Sequence, residues 1–552
     1  MRQPTSFNAL ILAVALACGG LILWLWRQGT APDHPAEPPP TRTADRTRPA
    51  SDLPPSTPGT DALGGLSPEQ RAMFKQLASD LARGRARERE AVLAFKDDDA
   101  LQRFLDRAKR AGLPILGQLN SLRAVRVGLD SLSALQRDLL ENTADYAGVA
   151  ANGLIGIPQP PAKQDRAAIN QVPFGNDTLA FLGATGDRSA WGRGTTIAIL
   201  DTGIAGDATF GSGRVRTLDL GLGSSPGNGS DDGHGTAVAA LAAGAASDAG
   251  GVAPAANLLS IRVTDTSGVS DLFTVSRAIV AATDAGASII NVSLGGYSTG
   301  PVLDAAITYA TQRGALIVAA AGNDQAAQLA WPAADARVVS VGAIDKAEQQ
   351  VSFSNSGDQL QLTAPGYGVQ TAWLDGRRVY VDGTSASAPL VSGAIAAVMS
   401  QNSNLSARQA ADLLVLTAND GGPPGVDAAY GHGIINLATA LNRANPAYVD
   451  TAVSSHSYDP ASGQMAFVIQ NRSGRTISGM ALEVSVGTTT STQPLPGLAA
   501  GESYVTTVPV NESTLKSAGS LAFKTRLVNP IGTVDQVPAN NSRSSVLSAP
   551  TR

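Results

Sequence analysis

Short, largely apolar runs (Thr196–Leu200, Leu258–Val263, Ile289–Leu294, Ala315–Ala320 and Val338–Val341) alternate with helical patterns across residues 171–446. A strand covered on one face only would alternate apolar with polar positions. Continuous runs predict strands buried on both faces, as in a parallel sheet between two layers of helices. The expected fold class is therefore α/β, with a doubly wound parallel sheet at its centre. Residues 66–152 have a different texture. Ala91–Phe95 reads as a strand, followed by a helix with Leu101, Phe104, Leu105 and Ala108 on one face, then a strand over Leu113–Leu119. The alternation of Val125, Val127 and Leu129, a helix carrying Leu132, Leu135 and Leu139, and a strand at Tyr146–Val149 complete the series. That order predicts a ferredoxin-like α+β module. Residues 447–552 alternate again, in Met465–Ile469, Leu482–Val486, Tyr504–Val510 and Leu521–Val528, between Gly, Asn and Pro; the pattern predicts a small all-β sandwich.

After an N-terminal tail (residues 1–8), residues 9–26 carry no charge. As a helix this stretch reaches about 27 Å, close to the hydrocarbon thickness of a bilayer. It reads as a transmembrane anchor or a signal peptide: Ala15-Leu16-Ala17 resembles a cleavage site, but the apolar run continues to Trp26. Cys18 adds a lipoprotein alternative, which Ala15 and Leu16 ahead of it fit poorly. Residues 27–65 are a Pro-rich linker, expected to be extended and solvated. Residues 153–170 read as a second linker, ahead of the α/β domain.

Composition narrows the chemistry. Charged residues make up 16% of the 552, and the net charge is −5, so no field is present to recruit a nucleic acid. With Cys18 as the single cysteine, a disulfide framework and a cysteine-based zinc site are both excluded. Any imidazole chemistry must use one of four histidines: His34, His234, His432 or His456.

In open α/β sheets, functional groups gather beyond the carboxyl ends of the strands. Asp201 follows the strand TIAIL directly, where a carboxylate can orient an imidazole. His234 stands between two glycines in Asp232-Gly233-His234-Gly235-Thr236, at the start of a small-residue helix whose terminal dipole favours a neutral ring able to act as a base. Ser385 lies in Gly383-Thr384-Ser385-Ala386-Ser387-Ala388-Pro389, also at a helix start, where unbonded backbone N–H groups favour a developing anion. Each alone also fits a capping or packing role. Their combination, in that order and at element termini of one domain, is far more specific.

Those residues resemble the signatures of the subtilisin-like serine proteases: ILDTG at 199–203, DGHGTAVA at 232–239 and GTSASAP at 383–389. The resemblance implies a triad of Asp201, His234 and Ser385. It also implies that Asn323, in Ala320-Ala321-Gly322-Asn323, donates to the oxyanion. Ser293, Leu294 and Gly295 are similar to the family's substrate-pairing strand, and Ala320, Ala321 and Gly322 to a wall of its specificity pocket. His432, before the closing helix, is read as structural. No cofactor is required. The resemblance allows structural calcium, although no loop here matches a family calcium site residue by residue.

By the same resemblance the 66–152 module is an inhibitory propeptide whose tail, near Tyr146–Asn152, occupies the site, with self-cleavage between about Ala150 and Phe174. The expected protein is a serine endopeptidase, made as a latent precursor, that acts on proteins or peptides. It is secreted, periplasmic or membrane-anchored through residues 9–26, with the catalytic domain outside the cytoplasm. The alternatives are a catalytically silent, surface-displayed binding protein on the same fold, a permanent adaptor role for the 66–152 module, and a sedolisin-type peptidase. The last is disfavoured because that class carries Glu where His234 stands.

Overall fold

The computed structural model describes residues 67–130, 132–159, 171–223, 225–227 and 232–549. The apolar segment 9–26, the Pro-rich linker 27–65 and most of the second linker (160–170) lie outside the described residues. Among the described residues no helix is long and apolar enough to cross a membrane.

The first module opens with helix α1 (Pro68–Ala82), which sequence patterning did not assign, followed by β1 (Ala86–Phe95), α2 (Asp98–Ala111), β2 (Ile115–Leu119), β3 (Ala124–Gly128), α3 (Leu132–Glu141) and β4 (Tyr146–Gly156). Helix α2 is well delimited: the Asp97 carboxylate accepts from the Ala100 N–H at 2.7 Å, and Gly112 closes the helix at φ +67°. The sheet runs β4-β1-β3-β2, all antiparallel, which is the ferredoxin-like order. Its two faces bury against different partners. Ala91, Leu93 and Phe95 join Phe104, Leu101 and Leu135 in the module's own core. Val92 and Ala94 instead join a core that contains Phe273, Leu272 and Val302 of the next domain. A strand covered on both faces has to be apolar at consecutive positions, which is how 91–95 reads.

The α/β domain contains β5 (Thr196–Asp201), β6 (Val215–Thr217), α4 (His234–Ala243), β7 (Asn257–Arg262), β8 (Val269–Asp271), α5 (Leu272–Asp284), β9 (Ile289–Val292), α6 (Pro301–Gln312), β10 (Leu316–Ala320), β11 (Val339–Ile344), β12 (Leu362–Pro365) and α7 (Thr384–Gln401). Seven strands form one sheet in the order β12-β11-β10-β9-β5-β7-β6. All its pairings are parallel, as the continuous apolar runs predict. Alternate residues of each strand enter opposite cores: Ile197 and Ile199 face α4 and α7, whereas Ala198 and Leu200 face α5 and α6.

Strand β4 crosses from one domain to the other. It pairs with β1 inside the module and with β8 of the α/β domain, Asp271 opposite Leu154 and Val269 opposite Gly156. A module boundary at residue 152 therefore falls inside a strand. Asn152 is a fully buried tie, its Nδ2 donating to Glu90 Oε2 at 2.7 Å and its Oδ1 accepting from the Phe273 N–H at 3.1 Å. Tyr146–Asn152 is thus sheet rather than tail, because pairing with β1 and this buried amide hold it there.

The C-terminal region is the expected sandwich. One sheet holds Thr451–Asp459, Gln464–Asn471 and Ser503–Pro509; the other holds Thr489–Pro494, Ala481–Val486, Ser520–Val528 and Ser542–Ser548. Phe467, Leu482 and Phe523 fill the space between them. His456 spans both sheets, with Nδ1 2.8 Å from Ser545 Oγ and Nε2 2.8 Å from Thr525 Oγ1. Burial, helped by the nearby Arg543 charge, pushes its pKa down to about 4. Arg543 also reaches Glu348 of the α/β domain at 2.5 Å.

Candidate active site

Asp201 ends a central strand, so its side chain emerges at the carboxyl edge of the sheet while remaining fully buried. Its Oδ1 accepts from the Thr202 N–H at 2.8 Å and lies 2.8 Å from His234 Nδ1. That contact leaves Nε2 as the ring nitrogen able to take a proton. The loop carrying the imidazole is pinned through Thr202, whose Oγ1 donates to the Asp232 carbonyl and accepts from the Gly235 N–H, both at 2.9 Å. Glycine is required at 235, because a Cβ there would lie 2.4 Å from the Gly203 carbonyl oxygen.

Ser385 opens α7 and lines the same cavity as His234, about 150 Å³ in volume. The preceding Gly383 has φ +139°, and a Cβ on it would sit 2.9 Å from both Ser385 Oγ and Asn323 Nδ2. The hydroxyl and the amide therefore flank one point, and a side chain at 383 would fill it. Asn323 follows β10 and is oriented unambiguously: its Oδ1 accepts from both the N–H and the Oγ1–H of Thr384, each at 2.9 Å. The Thr384 hydroxyl accepts in turn from the Gly322 N–H at 3.1 Å. With its oxygen so occupied, the amide turns its NH₂ group toward the cavity, where Nδ2 donates to the Pro158 carbonyl at 2.7 Å. Asn355 holds the loop from behind, its Oδ1 accepting from the N–H groups of Asp324 and Ala326 and its Nδ2 donating to the Ala321 carbonyl.

The remaining expected residues divide by what they touch. Gly295 exchanges both backbone hydrogen bonds with Gly156, at 2.9 and 3.0 Å. Ser293 donates from Oγ to the Ser385 carbonyl at 3.0 Å, and Asn291 supports it. Leu294 points into the core beneath, and Ala320 and Ala321 are buried around the start of the Asn323 loop. His432, exposed beyond the sheet, only donates its N–H to Gln361. The segment that reaches the cavity is Ile157–Gln159, several residues beyond Tyr146–Asn152.

Thr384, Asn355 and Trp373 were not singled out by sequence. Thr384 lay inside the serine motif, but its partners are distant in the chain. Trp373 has no local signal at all: its indole packs on the backbone of Gly233, where a Cβ would come within 2.2 Å, and so forms the cavity wall beside His234. Among the described residues no group of three or more His, Cys, Asp or Glu side chains gathers as a metal site.

A family model described as "Subtilase family" matches residues 192–433. Subtilisin Savinase from Lederbergia lenta is 35% identical over 279 residues, covering 49% of this chain and 98% of that protein. The chain belongs to the subtilase family. An alkaline protease from Shouchella clausii is likewise 35% identical over 279 residues, covering 70% of its length. Among solved structures, the epidermin leader peptide processing serine protease of Staphylococcus aureus is similar in fold, with a TM-score of 0.51 at 22% identity, covering 64% of this chain and 98% of that one. The α/β region of this subtilase is thus a subtilisin-like serine protease domain.

Proposed function

We propose that this subtilase is a serine endopeptidase made as a latent precursor and activated by its own cut. In the reaction His234 Nε2 takes the proton of Ser385 as its oxygen attacks a peptide carbonyl, and Asp201 holds the ring with Nδ1 protonated and stabilises the imidazolium that forms. Asn323 Nδ2 and the Ser385 backbone N–H stabilise the oxyanion. His234 then gives the proton to the leaving amine, and water resolves the acyl-enzyme by the same route. Substrate enters as an added strand against Gly295. Recognition through main-chain hydrogen bonds favours breadth over sequence selectivity.

The observation that carries this reading is the pair of contacts at 2.8 and 2.7 Å: His234 Nδ1 to Asp201, and Asn323 Nδ2 to a backbone carbonyl in the cavity. The occupant of the cavity, Ile157–Gln159, follows directly on strand β4 of the N-terminal module, which supports an inhibitory propeptide role for that module. Family and fold further suggest secretion or membrane tethering, with protein substrates. The test is casein hydrolysis by purified wild type and Ser385→Ala. Activity that survives in Ser385→Ala refutes the assignment, whereas loss of roughly 10⁶ in kcat, the scale known for subtilisin itself, supports it.

A further inference from the structure

We infer that the bond this site cuts in its own chain is Pro158–Gln159, and that Pro158 slows that cut. The inference rests on the endopeptidase reading above and adds to it the bond and the reason for delay. Strand β4 leaves its module between two edges of the α/β domain. Val269 pairs with Gly156 on one side, and on the other Gly156 and Gly295 exchange both backbone hydrogen bonds. In an antiparallel ladder hydrogen-bonding positions recur at every second residue, so the register set by Gly156 and Gly295 places residue 158 opposite Ser293. The same register brings the carbonyl of residue 158 to the end of the ladder, where its oxygen accepts from Asn323 Nδ2 at 2.7 Å. Two independent observations, the register and the amide contact, therefore select one carbonyl. Ile157, Pro158 and Gln159 line the cavity together with His234 and Ser385.

The step balances as follows. Ser385 Oγ bonds to the carbonyl carbon of Pro158 while His234 takes the hydroxyl proton. The carbon–nitrogen bond to Gln159 then breaks, and His234 returns the proton to the departing amine. Water displaces Ser385 and leaves a carboxylate on Pro158.

Proline makes this a poor substrate at one specific point. At this register a residue 158 with an N–H would donate it to the Ser293 carbonyl opposite, and proline has none to give. The last hydrogen bond that aligns the reacting carbonyl is therefore missing. The module stays engaged while the chain ahead of the cut remains threaded through the site. One such bond is worth about 1 kcal/mol, or roughly five-fold in rate.

The experiment follows the first cleavage of the full chain after expression, with fragment ends read by mass spectrometry, in wild type, Ser385→Ala and Pro158→Ala. The expected first N-terminal fragment of the wild type ends at Pro158, conversion is independent of protein concentration, and Pro158→Ala converts about five-fold faster at the same bond. A first fragment that depends on Ser385 but ends elsewhere overturns the bond assignment and leaves the endopeptidase reading intact. Pro158→Ala converting no faster overturns the delay. Equal processing of Ser385→Ala would instead sink the endopeptidase reading itself. If Pro158→Ala does not fold, the wild-type fragment end still decides the bond.

Discussion

Replacing Thr384 by Val removes a hydroxyl while keeping the side chain's shape, and so isolates what that hydroxyl does for Asn323. In the structure it donates to Asn323 Oδ1 at 2.9 Å and accepts from the Gly322 N–H at 3.1 Å, so one oxygen connects the amide to the turn that carries it. The Thr384 backbone N–H still donates to Asn323 Oδ1 in the variant, so the amide keeps one of its two anchors. Losing the other is worth about 1 kcal/mol, and if all of it appears as misorientation of Nδ2 in the transition state, kcat falls roughly five- to ten-fold. The effect should be smaller than that of Asn323→Ala, which removes the donor outright and costs on the order of 10² to 10³, the scale known for subtilisin. Orphaning the buried Gly322 N–H also costs about 1–3 kcal/mol of folding stability, so melting temperature has to be measured beside kcat on the processed enzyme. The expected pattern is a lower kcat with KM little changed, and recovery of both kcat and stability in Thr384→Ser. If Thr384→Val loses stability but keeps full kcat while Asn323→Ala is crippled, the hydroxyl does not position the amide and the reasoning fails.

Other outcomes follow from the same geometry. Asn152→Ala breaks both bonds of a fully buried amide and leaves the Phe273 N–H unpaired; the unprocessed Ser385→Ala precursor carrying it should unfold about 1–3 kcal/mol more easily in urea, and an unchanged midpoint would mean the tie is idle. Gly235→Ala places a methyl 2.4 Å from the Gly203 carbonyl and should displace His234, so kcat drops sharply while Gly206→Ala, with open space around it, stays near wild type. His456, depressed to about 4 in the fold, binds a proton more readily when unfolded, so the sandwich loses stability as pH falls from about 6.5 to 4, by up to about 3 kcal/mol. Urea melts at pH 7 and 4.5 should show this slope in wild type and a flatter one in His456→Gln; equal slopes would contradict it.

What could be read from the chain in advance, and what could not, divides along physical lines. Continuous apolar runs announced the parallel sheet because both faces of β5, β9 and β10 are covered. Asp201, His234 and Ser385 were legible as candidates because each sits at an element terminus, inside a glycine-framed motif. The strand expected at Ala91–Phe95 begins five residues earlier, at Ala86: the charged ARERE carries no apolar alternation, while in the fold Arg87 reaches Asp265 and Asp271 across the domain boundary. Helix α1 did carry a signal in Phe74, Leu77 and Leu81, three apolar positions at helical spacing that pack on the module's core. Thr384, Asn355 and Trp373 gain their roles only from partners brought near by folding. The segment that enters the cavity lay further along than expected because β4 is paired on both sides and continues to Gly156 before its register delivers Pro158.

The most direct measurement is covalent labelling of the processed protein with a fluorophosphonate, followed by peptide mapping. The account predicts a single adduct on Ser385, abolished in Ser385→Ala and strongly slowed in His234→Ala, both variants first being cut in trans by the wild-type protein to clear the cavity. A processed, folded protein that takes up no label at Ser385, or takes it up equally well without the imidazole, would contradict it.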